Sequence, residues 1–103
     1  MITIFLHMTV KPGREKEFQD MAKLLTEATR AEDEGCLNHT YHQQQDDPSK
    51  VVLYEQWRDG DVLTAHIAHL IEILGPPAEG QNLPEAFMDK LESISPVLYD
   101  VVA

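Results

Sequence analysis

Lys50-Val51-Val52-Leu53-Tyr54-Glu55-Gln56-Trp57-Arg58, then Asp59-Gly60-Asp61, then Val62-Leu63-Thr64-Ala65-His66-Ile67-Ala68-His69-Leu70, is the stretch whose reading decides the fold. The first part alternates as a strand does, so Leu53, Glu55 and Trp57 share one face. A carboxylate and an indole then point toward whatever the following helix covers. That helix carries His66 three residues after Leu63 and four before Leu70, on or beside its apolar stripe. An acid, an aromatic ring and an imidazole converging under one helix make the wall of a small-molecule pocket.

Working upstream, Cys36 to Gln45 reads as a strand joined to Lys50–Arg58 by the turn Asp46-Asp47-Pro48-Ser49. So short a connection predicts an antiparallel hairpin. Leu37, His39, Tyr41 and Gln43 share one of its faces. If the helices cover that face, His39 and Tyr41 join the pocket; otherwise they lie on an intersubunit face. Met1 to Val10 alternates too, with Ile2, Ile4, Leu6, Met8 and Val10 on one side and Thr3, Phe5, His7 and Thr9 on the other. Lys11-Pro12-Gly13 turns the chain into a helix from Arg14 to about Glu32, with Phe18, Met21, Leu25 and Ala28 as its stripe and Leu24 beside them. Asp33-Glu34-Gly35 stops it, with Gly35 as the expected cap.

Downstream, Leu63, Ile67, Leu70 and Leu74 form the stripe of the second helix, capped by Asp59 or Asp61. Gly75-Pro76-Pro77 breaks it. Pro84 suits the first position of a third helix over Glu85–Ser93, burying Phe87 and Leu91, and Pro96–Val102 is the last strand. The order β-α-β-β-α-(α)-β is the split pattern of a ferredoxin-like α+β fold with an antiparallel sheet. The 103 residues make one domain, 1–103.

The formal net charge of -10 excludes the basic footprint that nucleic acids and anionic membranes require. No run approaches the roughly 20 apolar residues of a bilayer span. The N-terminus reads as a strand rather than a signal peptide, so the expected location is cytoplasmic. The single cysteine, Cys36, reads as a small buried hydrophobe. His39 and His42 are three apart on a strand and point to opposite faces. His66 and His69 share a helix face but make only two ligands, so no metal set is legible from spacing. No phosphate-binding glycine loop or nucleophile elbow is present.

Four segments carry a resemblance. Val10-Lys11-Pro12-Gly13-Arg14-Glu15-Lys16-Glu17-Phe18, Gly35-Cys36-Leu37, Val52-Leu53-Tyr54-Glu55-Gln56-Trp57 and Ala65-His66 occur in the order and at the spacing of the antibiotic biosynthesis monooxygenase family. The likeness covers roughly residues 1–70 and the last strand; residues 71–95 depart from the family pattern. It implies a dimeric α+β barrel, two subunits joined by their sheet faces, with a pocket between sheet and helices in each. Characterised members oxidise phenols or hydroquinones with O2 and no bound cofactor. Haem-degrading relatives carry an asparagine where this chain has Leu6 and a tryptophan where it has His66, so haem is not implied. The resemblance thus implies a homodimer acting on a small aromatic molecule and O2, with no cofactor. His66 is the expected base and Glu55 a carboxylate orienting a neighbour or the substrate. Trp57 is expected as a stacking wall, and His39 and Tyr41 as further donors. Beside this stand a non-catalytic ligand-binding dimer and an isomerase or lyase on the same fold. For His66 the bland alternative is a packed histidine bonded to a backbone carbonyl; for Glu55 it is a salt bridge or hydrogen bond to a dimer neighbour.

Overall fold

The computed structural model describes all residues, 1–103. The elements are β1 (Ile2–Val10), α1 (Glu15–Glu32), β2 (Cys36–Gln43), β3 (Lys50–Trp57), α2 (Gly60–Leu74), α3 (Glu85–Met88) and β4 (Leu91–Tyr99). The strands form one antiparallel sheet in the order β2-β3-β1-β4. This is the ferredoxin-like α+β fold that the sequence pattern predicts.

Alternation sets the faces. Leu6, Met8 and Val10 of β1 and Val51 and Leu53 of β3 point into one core. There they meet Phe18, Met21, Ala22 and Leu25 of α1, Leu70 of α2 and Phe87 of α3. Each such side chain contributes roughly 1.5–3 kcal/mol on leaving water. The inner edge of α1 is rotated slightly from the predicted stripe: Ala22 and Thr29 are buried, whereas Leu24 is 52% exposed. The helix packs against β2, and that contact rather than apolar count chooses its inner face.

The opposite face of the sheet carries no helix. Phe5 stacks on Tyr54 at 5.0 Å and meets Tyr99 edge-on at 4.9 Å. Around them lie Thr3, Gln56 and Asn38, joined by side-chain hydrogen bonds. Within a single chain, the helices thus cover one face of the sheet only.

The β2–β3 hairpin forms as predicted, although β2 ends at Gln43 and β3 at Trp57. Its turn is set by Asp47, whose Oδ1 accepts from the backbone N–H and the hydroxyl of Ser49 at 3.1 and 2.7 Å. Asp59 caps α2 by accepting from Val62 N–H at 3.0 Å. The C-terminal third differs from the prediction. α3 ends at Met88, and β4 begins at Leu91, before Pro96. β4 is an edge strand, so Pro96 is tolerated inside it because no ladder bond is needed on its open side. Leu91, expected in the helix, is buried as the first residue of that strand.

Gly35 is not the cap of α1; Asp33 is, through its backbone N–H to Thr29 O. Gly35 instead turns the chain from α1 into β2 with φ +83°. A Cβ built there would lie 2.8 Å from Val62 Cγ1 of α2. Its carbonyl also accepts from Arg58 N–H at 2.9 Å, closing the end of the hairpin. Backbone conformation and space both require glycine. Gly35→Ala is therefore expected to lower stability by roughly 1–3 kcal/mol in chemical denaturation. An unchanged denaturation midpoint would refute this account of the turn.

Candidate functional site

In the hairpin register His39 lies beside Glu55, and Tyr41 beside Leu53. The open question about β2 is thereby settled: His39 and Tyr41 face the helices. α2 crosses above them and lowers His66 onto the same patch. One ring nitrogen of His39, one of His66 and one oxygen of Glu55 all lie within 4.8 Å of one another. The three residues are 3%, 3% and 6% exposed.

Each is held by a partner outside the cluster. Asp33, at the end of α1, accepts from His66 Nδ1–H through Oδ2 and from His69 Nδ1–H through Oδ1, both at 2.6 Å. His69 Nε2 lies 3.1 Å from Glu32 Oε2, on an exposed side chain. A polar chain thus runs from the buried cluster through His66, Asp33 and His69 to solvent. Because Asp33 accepts at Nδ1, His66 turns the lone pair of Nε2 inward. That atom lies 4.0 Å from Glu55 Oε1, too far for a hydrogen bond. Glu55 Oε1 accepts only from Trp57 Nε1 at 3.1 Å. His39 Nδ1 sits 3.4 Å from the Thr26 hydroxyl, and Arg30 donates to the His39 carbonyl at 3.0 Å, holding that part of β2 to α1.

The cluster floors a cavity of about 350 Å³. Its walls are mainly apolar, with Leu63, Ile67 and Leu70 of α2 on one side and Phe87, Met88 and Ile94 on another. Gly80, Gln81, Asn82 and Leu83, from the segment that departs from the family pattern, close part of its mouth. No lysine or arginine lines it.

Trp57 corrects an expectation. It is 0% exposed and does not line the cavity. Its ring lies against His66, centroids 4.3 Å apart and tilted by 34°, and its N–H holds Glu55. It positions two members of the cluster instead of offering a surface to a ligand. The bland alternative fails for His66, which bonds a carboxylate and not a backbone carbonyl. Within one chain Glu55 has no lysine or arginine beside it and accepts from Trp57. Asp33 is the residue that sequence reasoning missed. It was legible only as the stop of α1, although Asp33, Gly35 and a histidine at i and i+3 on the next helix were the available signals.

Burial shapes the ionisation of the cluster. Desolvation pushes Glu55 up to about 7, opposed by the Trp57 hydrogen bond. Desolvation, then the neighbouring His66 and Arg30, lowers His39 to about 4. Burial also lowers His66, while the Asp33 bond pulls it back up. The Tyr41 phenol is pushed upward by burial.

These shifts have opposite consequences for stability. Between about pH 4.3 and pH 7 the folded chain holds a proton on Glu55 that the unfolded chain has released, so this residue makes stability fall as pH rises. His39 does the reverse between about pH 4 and pH 6.5, where the unfolded chain holds the extra proton. Comparing wild type with Glu55→Gln isolates the first effect. In chelator-containing buffer, the variant is expected to gain about 3 kcal/mol over wild type as pH rises from 4 to 8. A pH-independent difference in denaturation free energy would show that Glu55 titrates normally.

The profile of the family described as antibiotic biosynthesis monooxygenase matches residues 1–70. No curated protein sequence matches the chain. Among solved structures, a conserved protein from Methanosarcina mazei Go1 is 26% identical with a TM-score of 0.76, covering 95% of this chain and 89% of that one. A proposed antibiotic biosynthesis monooxygenase from Bacteroides thetaiotaomicron superposes with a TM-score of 0.84 at 16% identity, covering 99% and 90%. A Pseudomonas aeruginosa protein gives 0.74 at 22% identity, covering 99% and 94%. The last two likenesses are of fold alone. The match spans the strands and helices that build the cluster, from β1 through His66 to the buried Leu70. With the sheet order and the pocket beneath α2, it places this chain in the antibiotic biosynthesis monooxygenase family.

Proposed function

We propose that this protein is a monooxygenase that oxidises a small phenolic or quinol-like aromatic with O2, drawing the electrons from the substrate and needing no bound cofactor. The observation that carries the reading is an apolar cavity ending on His66 Nε2, an inward-facing lone pair whose ring is fixed by Asp33. Ground-state O2 reacts slowly with a neutral phenol because the electron spins do not match. A phenolate is a far better one-electron donor. A dry pocket that removes the phenolic proton therefore does the difficult part. The balance is simple: a phenol with a free para C–H plus O2 gives a quinone plus water. One oxygen atom enters the ring, and the other leaves with the phenolic and para hydrogens.

In this reading His66 Nε2 takes the phenolic proton. Asp33 stabilises the imidazolium that forms and holds the ring in its tautomer. The chain through His69 to Glu32 gives the proton a path to solvent. Glu55, in its protonated form, donates to the substrate oxygen. His39 and Tyr41 border the same space.

The test is oxygen uptake across a panel of phenols and hydroquinones, with 18O2 to follow the inserted atom. One labelled oxygen per quinone and a 1:1 ratio of O2 to product are expected. On an authentic substrate, His66→Ala is expected to lower kcat by roughly 10²-fold or more, as for loss of a general base. Ligand binding without oxygen uptake on any member of the panel would make the protein a binding module instead.

We also propose that two chains pair through the sheet face that lacks helices. Phe5, Tyr54 and Tyr99 form an aromatic cluster there, and Tyr99 is 51% exposed. Sedimentation is expected to give a dimer at micromolar concentration, and Phe5→Asp to shift it to monomer. A wild-type chain that sediments as a monomer would refute the pairing.

A further inference from the structure

We propose that His39, Glu55 and His66 bind one divalent transition-metal ion at the floor of the cavity. His66 Nδ1–H is committed to Asp33, so Nε2 presents a lone pair. Glu55 Oε1 faces it at 4.0 Å, too far for a direct hydrogen bond but a gap that one ion bonded to both atoms can close. Lysine and arginine are absent from the lining, so no side chain supplies the charge. His39 completes the set from β2, with its donor atom within 4.8 Å of the other two.

The outer partners have the form that metal-bound ligands take. A ligating imidazole commonly donates its other N–H to a carboxylate or another oxygen, which fixes the ring and raises its basicity. His66 does so to Asp33, and the Thr26 hydroxyl stands ready to accept from His39 Nδ1. Trp57 N–H orients Glu55. Bonds of about 2.0–2.2 Å place tetrahedral donors roughly 3.5 Å apart, so the three atoms must draw inward by about 1 Å. Side-chain rotation of Glu55 and His39 supplies that movement while Asp33 holds His66.

Two imidazoles and one carboxylate suit zinc, iron(II), cobalt(II) or nickel(II), and they leave coordination positions facing the cavity. Magnesium and calcium demand more oxygen ligands than the cluster offers. An ion on these atoms would stand in place of the base role given to His66 and the donor role given to Glu55 above, favouring the phenolate only as a Lewis acid. The inference does not depend on the oxidation proposed above, because binding is read without substrate.

The experiment titrates chelator-stripped protein with Co2+ alone, following its visible absorption, and then displaces it with Zn2+. One Co2+ per chain is expected, displaced by Zn2+ and unaffected by excess Mg2+. Glu55→Gln, which keeps shape and fold, and His39→Gln should each weaken binding by about 100-fold or more, since loss of outer partners alone costs 10–100-fold. His42→Ala, on the other face of β2, should leave it unchanged. Circular dichroism checks that the variants are folded. No saturable Co2+ site below about 1 mM, or binding that survives both Glu55→Gln and His39→Gln, would overturn the proposal and leave a hydrated, metal-free cluster.

Discussion

The carboxylate of Asp33 is the point on which the site depends. It sits at the end of α1, yet both of its oxygens serve α2 through His66 and His69. The bonds tie the two helices together over the edge of the sheet where β2 begins and β3 ends. They also decide chemistry, because an imidazole held at Nδ1 can offer only Nε2 to the cavity. A single buried acceptor therefore sets the helix spacing and the tautomer together. Gly35 makes the arrangement possible: its turn lets β2 leave α1 at once, so the end of α1 stays beside Val62 and the first turns of α2.

Trp57 supports the cluster from below. Fully buried at the end of β3, it bridges Glu55 and His66 without reaching the cavity. Its bulk fixes the depth at which His66 rests, and its N–H fixes one rotamer of Glu55. The floor is consequently rigid and built on strands. The mouth is built on the Gly80–Leu83 loop, whose Gly80, Gln81 and Asn82 are exposed. On the proposed function, chemistry would reside in the rigid part and the choice of substrate in the part where this chain departs from the family pattern.

Much of this was legible in the sequence where local pattern and tertiary contact agree. The alternation in β1 and β3, the tight Asp47 turn and the Asp59 cap each act through neighbours a few residues away. The shared face of Leu53, Glu55 and Trp57 follows from the strand period alone. The roles of Trp57 and Asp33 do not, because both depend on where α2 lands on the sheet. A ring on the helix-covered face reads equally well as a ligand wall or as a support for a histidine. The three-donor cluster was invisible for the same reason: its members come from β2, β3 and α2, so no spacing links them. The boundary between α3 and β4 was misplaced because β4 is an edge strand exposed along most of its length. Its Glu92, Ser93, Ser95 and Pro96 show no clean alternation, while Phe87, Met88 and Leu91 mimic a helical stripe.

The charge inventory of the cavity narrows what can occupy it. Glu55 is the acidic group of the lining, with Asp33 behind His66, the imidazole of His39 favours its neutral form, and no basic side chain reaches the lining. An anion entering alone would meet these acids and no cation in a medium that screens poorly. A neutral phenol does not meet that penalty, because its proton can remain within the cluster when the ring becomes anionic. With no ion on the cluster, the cavity admits a neutral aromatic and disfavours a free carboxylate or phosphate; a bound dication would reverse that preference. Selection by sign thus comes before selection by shape, and it follows from Glu55 being buried without a basic partner.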